Sequence, residues 1–351
     1  MPARSPVLDH VAARERRYDR GRVRRRRHLF ALALILLLTV GCGVAVRAAA
    51  PLTVSWLTPK TSAAAVLRTK ATALAPLPAA TRPIVLPREE AIPSFDVAGF
   101  KAAAEPDLAL HAKSALLVDL DSNRVLWVKE AHLRRAPASL TKLMTAVVAS
   151  DLTSLDTRVT VTGEAAAAEP SRMGLVAGQS LTVRELLYGA LLNSGNDAAF
   201  ALGDGIVPLD RFLALMNRKA GSLHLRGTHF STPNGLTDPN NYTSAYDLAV
   251  LSAYVARNYP ELVAIAATRD QMIPAADTHP AFYPHNLNHF LDVFPGATGL
   301  KTGFTDDAGG CLIATATRGG RHLLLVLLGS DIMFGDGVKL MDYGFTTPPS
   351  P

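Results

Sequence analysis

Residues 299–328 read GLKTGFTDDAGGCLIATATRGGRHLLLVLL. Two apolar, β-prone runs, 311–317 and 322–328, flank Arg318-Gly-Gly320, where paired glycines suit a tight hairpin. A third run, 300–304, leads into them. Toward the N-terminus, residues 114–119 and 125–129 are again β-prone, around Asp-Ser-Asn-Arg at 121–124, a second hairpin. Between these strand regions the spacing is helical. A helix is expected from Ser139 through SLTKLMTAVVAS, with Pro137 before it and Ser139 as its cap. Helical patterns recur at 182–192, 210–221 and 244–259, the last stopped by Pro260, and 337–343 can close the chain as a helix. Strands come first and last and helices lie in the middle. That order predicts an α+β fold whose two ends share one antiparallel sheet, not an alternating βαβ sheet.

The composition frames this body. With 48% hydrophobic and 19% charged residues the 351-residue chain is not disordered throughout. Two cysteines, Cys42 and Cys311, exclude a disulfide framework or a multi-cysteine zinc module. The net charge of +6 is local: residues 1–28 hold ten Arg against three acids, and the remainder carries 26 basic and 27 acidic groups. A basic groove for nucleic acid is therefore not expected. Residues 29–46, LFALALILLLTVGCGVAV, are uncharged. As a helix such a run spans roughly 27 Å, close to a bilayer core of about 30 Å. The arginines before it place the N-terminus in the cytoplasm and the rest outside. An uncleaved transmembrane anchor, a signal peptide cleaved near Ala48–Ala50, and a lipoprotein modified at Cys42 all fit. The protein is thus expected at the cell membrane with its body extracytoplasmic, or secreted if cleavage occurs. Residues 47–106, rich in Pro, Ala and Thr, read as a disordered linker. Residues 107–347 remain as the single domain.

Three triplets carry chemistry. Ser139-Leu-Thr-Lys142 puts a serine and a lysine one helical turn apart, so a lysine of lowered pKa can take the hydroxyl proton. Ser194-Gly-Asn196 follows at a helix end, and Lys301-Thr-Gly303 lies on an expected strand. S-x-x-K alone occurs by chance about once in a chain of this length, and K-T-G in about one chain in ten. Together, in this order, they match the serine acyltransferases of the penicillin-binding type. His285 and His289 have helical metal spacing but no H-E-x-x-H context, so no metal is expected. Gly309-Gly310 reads as hairpin geometry rather than a phosphate cradle. Asn241-Tyr-Thr243 matches a glycosylation sequon, set aside because the penicillin-binding family that the triplets resemble is bacterial.

The resemblance extends past the triplets. SALLVDLDSNRVLW, RRAPASLTKLMTA, ELLYGALLNSGNDAA, THFSTPNGLTDPNNYTSAYDLA and the closing MDYGF are similar to the D-alanyl-D-alanine carboxypeptidases, low-molecular-mass penicillin-binding proteins. It covers about residues 107–345. It implies a β-lactamase-like fold, with a five-stranded antiparallel sheet covered by helices and a helical subdomain. It implies removal of the terminal D-alanine from peptidoglycan stem peptides, covalent inhibition by β-lactams, and no cofactor. Carried over residue by residue, Ser139 is the nucleophile, Lys142 its general base and Ser194 a proton relay. Asn196 binds the substrate amide, and Lys301 and Thr302, followed by Gly303, hold the terminal carboxylate. The backbone N–H groups of Ser139 and Phe304 form the oxyanion hole.

Two departures accompany the resemblance. Twelve residues before Phe345, where the family usually has a carboxylate-binding Arg, stands Met333; Arg318 or Arg321 is a conceivable substitute. The family often continues into a second β-rich domain with a membrane helix, whereas six residues follow Phe345 here, so tethering is expected from 29–46. A β-lactamase would need a deacylating Glu between the second and third triplets, and Glu261, the only one there, lacks the loop pattern. A DD-endopeptidase acting on crosslinks and a non-catalytic penicillin-binding sensor are the alternatives kept.

Overall fold

A computed structural model describes residues 92–100 and 107–348. The basic tail, the apolar run at 29–46 with Cys42, and most of the linker lie outside the described residues. Among those that are described, no helix is long and apolar enough to cross a membrane.

Strands β1 (Ser114–Asp119) and β2 (Val125–Lys129) form the first expected hairpin. Its turn is tied by Asp119 Oδ1, which accepts from the backbone N–H groups of Asp121 and Ser122. Strands β3 (Arg158–Thr160) and β4 (Ser180–Thr182) pair in a small separate sheet, and strands β5 (Ala297–Thr305), β6 (Gly309–Arg318) and β7 (Arg321–Ser330) form the C-terminal meander. At its second turn Gly319 and Gly320 both take positive φ, +57° and +78°. A two-residue hairpin requires that conformation and glycine adopts it without strain. The five strands make one antiparallel sheet in the order β2-β1-β7-β6-β5. The first and last segments of the domain thus share a sheet, as the strand-helix-strand order predicts, and β5 is left as an edge.

One sheet face carries Leu117, Leu312, Leu325 and Leu327 and packs on the C-terminal helix, Met333–Thr346. The other face carries Leu116, Ile313, Leu324 and Val326 and packs on the helical body. At the centre of that body lies α1, Thr141–Leu152, buried along ten of its twelve residues. A helix apolar all round belongs in a core. The expected helix at 244–259 is Ala245–Asn258, capped by Ser244, whose side chain accepts from Asp247 N–H. Pro260 does stop it, but also opens a further helix, Pro260–Ala267, at its first position, where the missing proline N–H leaves no bond unmade.

The folded body begins before residue 107. Residues 92–100 fall inside the expected linker, yet Phe95 is only 4% exposed. Its ring meets Tyr246 edge-on at 6.4 Å, and its N–H reaches the Tyr246 hydroxyl at 3.5 Å. A short motif buried by one aromatic gives no extended sequence period, so composition alone reads it as tether. Removing a buried Phe costs about 3–5 kcal/mol. A protein starting at Asp107 should therefore melt several degrees below one starting at Ile92, as should Phe95→Ala in the longer form. Equal melting temperatures by calorimetry would show that the segment contributes no stability.

Candidate active site

Ser139 sits in a single 3-10 turn, Ala138–Leu140, that runs into α1. The expected serine cap is not made, because the cap positions fall on Pro137 and Leu140 and neither has a side-chain bond. The Ser139 hydroxyl is engaged elsewhere, 2.7 Å from Lys142 Nζ. Ala138 has φ +49°, a sparsely populated region for a residue with a Cβ and a mark of a conformation imposed by its surroundings. Two glycines leave room for it. Gly235, at φ +81°, lies directly against the Ala138 carbonyl. On the other side is Gly303, where a Cβ would stand 3.0 Å from Ser139 N and 3.2 Å from Leu140 N. Only a residue without a side chain lets β5 come that close to the nucleophile's backbone.

Lys142 is fully buried. Besides Ser139 Oγ it contacts Asn196 Oδ1 at 2.8 Å and the Asn234 carbonyl at 2.7 Å. Burial pushes its pKa well below the ordinary lysine value, the Lys301 charge lowers it further, and Asp197 opposes this. A neutral amine has two N–H donors and one lone pair. In this cage the donors serve Asn196 and Asn234, and the lone pair faces the Ser139 hydroxyl proton. That is the arrangement of a general base.

Lys301, on β5, is also buried; its Nζ donates to Ser194 Oγ at 3.1 Å and to the Thr302 carbonyl at 3.0 Å. Burial lowers its pKa to about 7. Ser194 takes φ +59° and is 8% exposed. Thr302 is buried beside it, and Phe304 follows Gly303, paired with Gly310 on β6. The eight expected site residues thus lie on the Ala138–Leu140 turn and α1, on the turn into the helix Asn196–Asp204 and its first residue, and on β5. Asn196 is drawn further inward than the amide-binding role implies. Its Oδ1 holds Lys142, and its Nδ2 donates one hydrogen to the Glu169 carbonyl at 2.8 Å.

Three features of this site were not anticipated from sequence. The Asn234 carbonyl belongs to Ser231-Thr-Pro-Asn-Gly235, which reads only as turn chemistry. Thr145 Oγ1 ties that turn to α1 by donating to the Pro233 carbonyl at 2.6 Å. Asp197, fully buried, accepts from the N–H groups of Met173, Gly174 and Leu175 and so fastens the loop facing Ser194. Third, neither Arg318 nor Arg321 replaces the usual carboxylate-binding Arg. Arg318 stacks on Phe294 at 4.1 Å and pairs with Asp342, and Arg321 pairs with Asp119 at 2.7 Å. Both lie at the end of β6–β7 remote from Phe304. Met333, in contrast, packs on Gly310, the residue paired with Phe304.

Among the described residues no cluster of His, Cys, Asp or Glu is gathered for a metal. Cys311 is a buried free thiol whose pKa burial raises to about 11. Glu261 sits on the surface, 4.0 Å from Arg184.

Residues 100–332 match the family described as D-alanyl-D-alanine carboxypeptidase. The chain belongs to that family. Among its curated relatives, the D-alanyl-D-alanine carboxypeptidase DacF of Bacillus subtilis is 32% identical over 249 residues, 68% of this chain and 64% of that protein. DacB2 of Mycobacterium tuberculosis is 34% identical over 68% of this chain and 84% of that protein. The chain spans about 65% of the length of DacF and of the Escherichia coli DacD. Among solved structures, a D-alanyl-D-alanine carboxypeptidase of Mycobacterium tuberculosis superimposes with TM-score 0.66 at 33% identity, covering 71% of this chain and 96% of that one. A Streptomyces DD-transpeptidase gives TM-score 0.65 at 30% identity, covering 70% of this chain and all of that one. The D-alanyl-D-alanine carboxypeptidase family and its α+β penicillin-binding fold are thus common to the sequence and the structure.

Proposed function

We propose that this protein is a serine-type D-Ala-D-Ala carboxypeptidase that trims peptidoglycan stem pentapeptides through a Ser139 acyl-enzyme and is acylated by β-lactams at the same atom. The observation that carries the reading is the Lys142 cage, which supports a neutral amine 2.7 Å from the Ser139 hydroxyl. Ser139 Oγ attacks the penultimate D-Ala carbonyl as its proton passes to Lys142. The oxyanion forms against the N–H groups of Ser139 and Phe304, at the start of α1, where the helix dipole adds favourable charge. Ser194 hands the proton to the departing D-alanine amine. Lys301 and Thr302 hold the terminal carboxylate, and the second Nδ2 hydrogen of Asn196 serves the substrate amide. Water then resolves the ester. The activity requires no cofactor. The apolar run at 29–46 would hold the domain on the outer side of the membrane.

Diacetyl-Lys-D-Ala-D-Ala and a crosslinked dimer, assayed side by side, test the reading. Release of D-alanine from the tripeptide is expected to dominate. Cleavage of the dimer alone would make the protein an endopeptidase, and penicillin binding without turnover of either would make it a sensor.

Met333 sets the expected level of activity. A bidentate Arg–carboxylate contact is worth roughly 1.5–3 kcal/mol, about 10- to 100-fold in kcat/KM. Met333→Arg, placed beside Gly310 and Phe304, should therefore raise peptide turnover at least several-fold, and penicillin acylation less. Peptide kcat/KM unchanged within twofold would show that Lys301 and Thr302 already hold the carboxylate.

A further inference from the structure

A cavity of about 630 Å³ opens in the helical body, and no residue of the catalytic site lines it. Its size is that of a small-molecule site. One wall is apolar, formed by Pro93, Leu223, Tyr246 and Val250. Pro93 reaches it because Phe95 anchors the segment 92–100 against Tyr246.

The charged groups of the cavity are of both signs. Asp247, only 3% exposed, is the deep one. Its Oδ2 accepts from Gly227 N–H and from the Thr228 hydroxyl, both at 2.7 Å. Both bonds fall on one oxygen, which leaves Oδ1 as the oxygen a ligand can reach. Burial raises the pKa of this carboxyl, and the bonds from Thr228, Gly227 and Ser244 and the nearby His132 oppose it. A desolvated carboxylate gains from a cation beside it. Arg134 and Arg226 are exposed and stand at the mouth. Neither pairs with a carboxylate among the described residues. Arg134 is held in place by stacking on Tyr242 at 4.8 Å and by one bond, from Nη2 to the Arg226 carbonyl at 3.3 Å. That bond uses one of its five donors.

The spacing of the two charges follows from the same bonds. The Arg226 carbonyl and the Gly227 N–H are the two ends of one peptide group. Arg134 Nη2 contacts the first and Asp247 Oδ2 the second. The guanidinium and the carboxylate therefore stand at most about 8 Å apart.

We infer that this cavity binds an α-amino acid with an aliphatic side chain, its ammonium on Asp247 and its carboxylate on Arg134 and Arg226. An ammonium and a carboxylate on one carbon are about 3 Å apart. With a hydrogen bond of about 2.8 Å at each end they span the interval. The ends of an extended dipeptide, a further residue apart, exceed it. The side chain then lies on the apolar wall. An anion alone would leave Asp247 uncompensated beside it, and an amine alone would leave both guanidinium groups unused. Two sources offer this chemistry, a free amino acid and the free end of a diamino dicarboxylic acid within a stem peptide. The inference stands independently of the carboxypeptidase reading.

Isothermal titration of the full chain with D- and with L-norleucine tests it. One saturable site per chain is expected for at least one of them, and protein blocked at Ser139 with penicillin should bind it equally. The matching N-acetylnorleucine, which lacks the cation, and norleucinamide, which lacks the carboxylate, should each bind at least about tenfold more weakly. The Arg226 side chain bonds nothing else among the described residues, so Arg226→Ala should keep the wild-type melting temperature. It should weaken norleucine about tenfold and leave norleucinamide unaffected. The inference is overturned if neither enantiomer binds, if N-acetylnorleucine binds as well as norleucine, or if Arg226→Ala keeps full affinity. Binding abolished by acylation would place the amino acid in the catalytic groove and overturn it too. If penicillin does not acylate the protein, the carboxypeptidase reading suffers and Arg226→Ala still decides this one. A stem tripeptide ending in diaminopimelate, titrated alongside, separates the sources. Tighter binding than norleucine identifies the peptide and weaker binding the free amino acid, and either supports the site.

Discussion

Lys142→Ala should reduce acylation of Ser139 by about 10²- to 10⁴-fold, the usual contribution of a positioned general base, for both peptide and penicillin. Lys142→Arg should fail as badly, because a guanidinium stays protonated at every working pH. The pH profile separates the two lysines. Acylation needs Lys142 unprotonated, so the rate rises with pH through its pKa, which burial and the Lys301 charge hold well below the ordinary lysine value. It needs Lys301 protonated to hold the carboxylate, so kcat/KM falls once pH passes the Lys301 pKa of about 7 in the free enzyme. The expected profile is a bell whose descending limb lies near neutrality. A profile that climbs without a break to pH 10 would show that burial does not hold Lys142 neutral at working pH and that Lys301 need not be protonated.

Gly303→Ala should cost about 10- to 100-fold in acylation while leaving the fold intact. The new Cβ would stand 3.0 Å from Ser139 N and 3.1 Å from Ala138 Cβ. The obstacle on one side is backbone, so the turn carrying the nucleophile has to shift. The shift required is a few tenths of an ångström. A full 1 Å misplacement costs on the order of 10²-fold, so the loss is expected toward the lower end of that range. Gly303 does not have a positive φ, so the effect is steric and not a matter of backbone strain. Stopped-flow acylation together with the melting temperature checks it. Wild-type rates in Gly303→Ala would mean that β5 and the turn are not held against each other as described.

The strands were legible because each is short, apolar and bounded by turn residues. The ranges 114–119 and 125–129 coincide with β1 and β2, and β5 to β7 extend the expected runs by one to three residues at each end. The three triplets were legible because side-chain type carries their chemistry. The site's supports were less so. Lys142 leans on the Asn234 carbonyl, and a backbone acceptor leaves no mark on residue type. Asp197 fastens N–H groups 22 to 24 residues away, a distance that no local pattern spans. Ser139 misled in the other direction. A serine at a helix start reads as a cap, yet this one is turned to Lys142. Phe95 was hidden because one buried aromatic within a proline-rich stretch has no period.

The central claim is that Ser139, activated by Lys142, is the group acylated. The most direct test is reaction of the protein with labelled penicillin, followed by proteolysis and mass spectrometric mapping of the adduct, with Ser139→Ala alongside. The account predicts one acyl group per chain, on Ser139, and none on Ser139→Ala. An adduct mapped to Ser194, or undiminished labelling of Ser139→Ala, would contradict it.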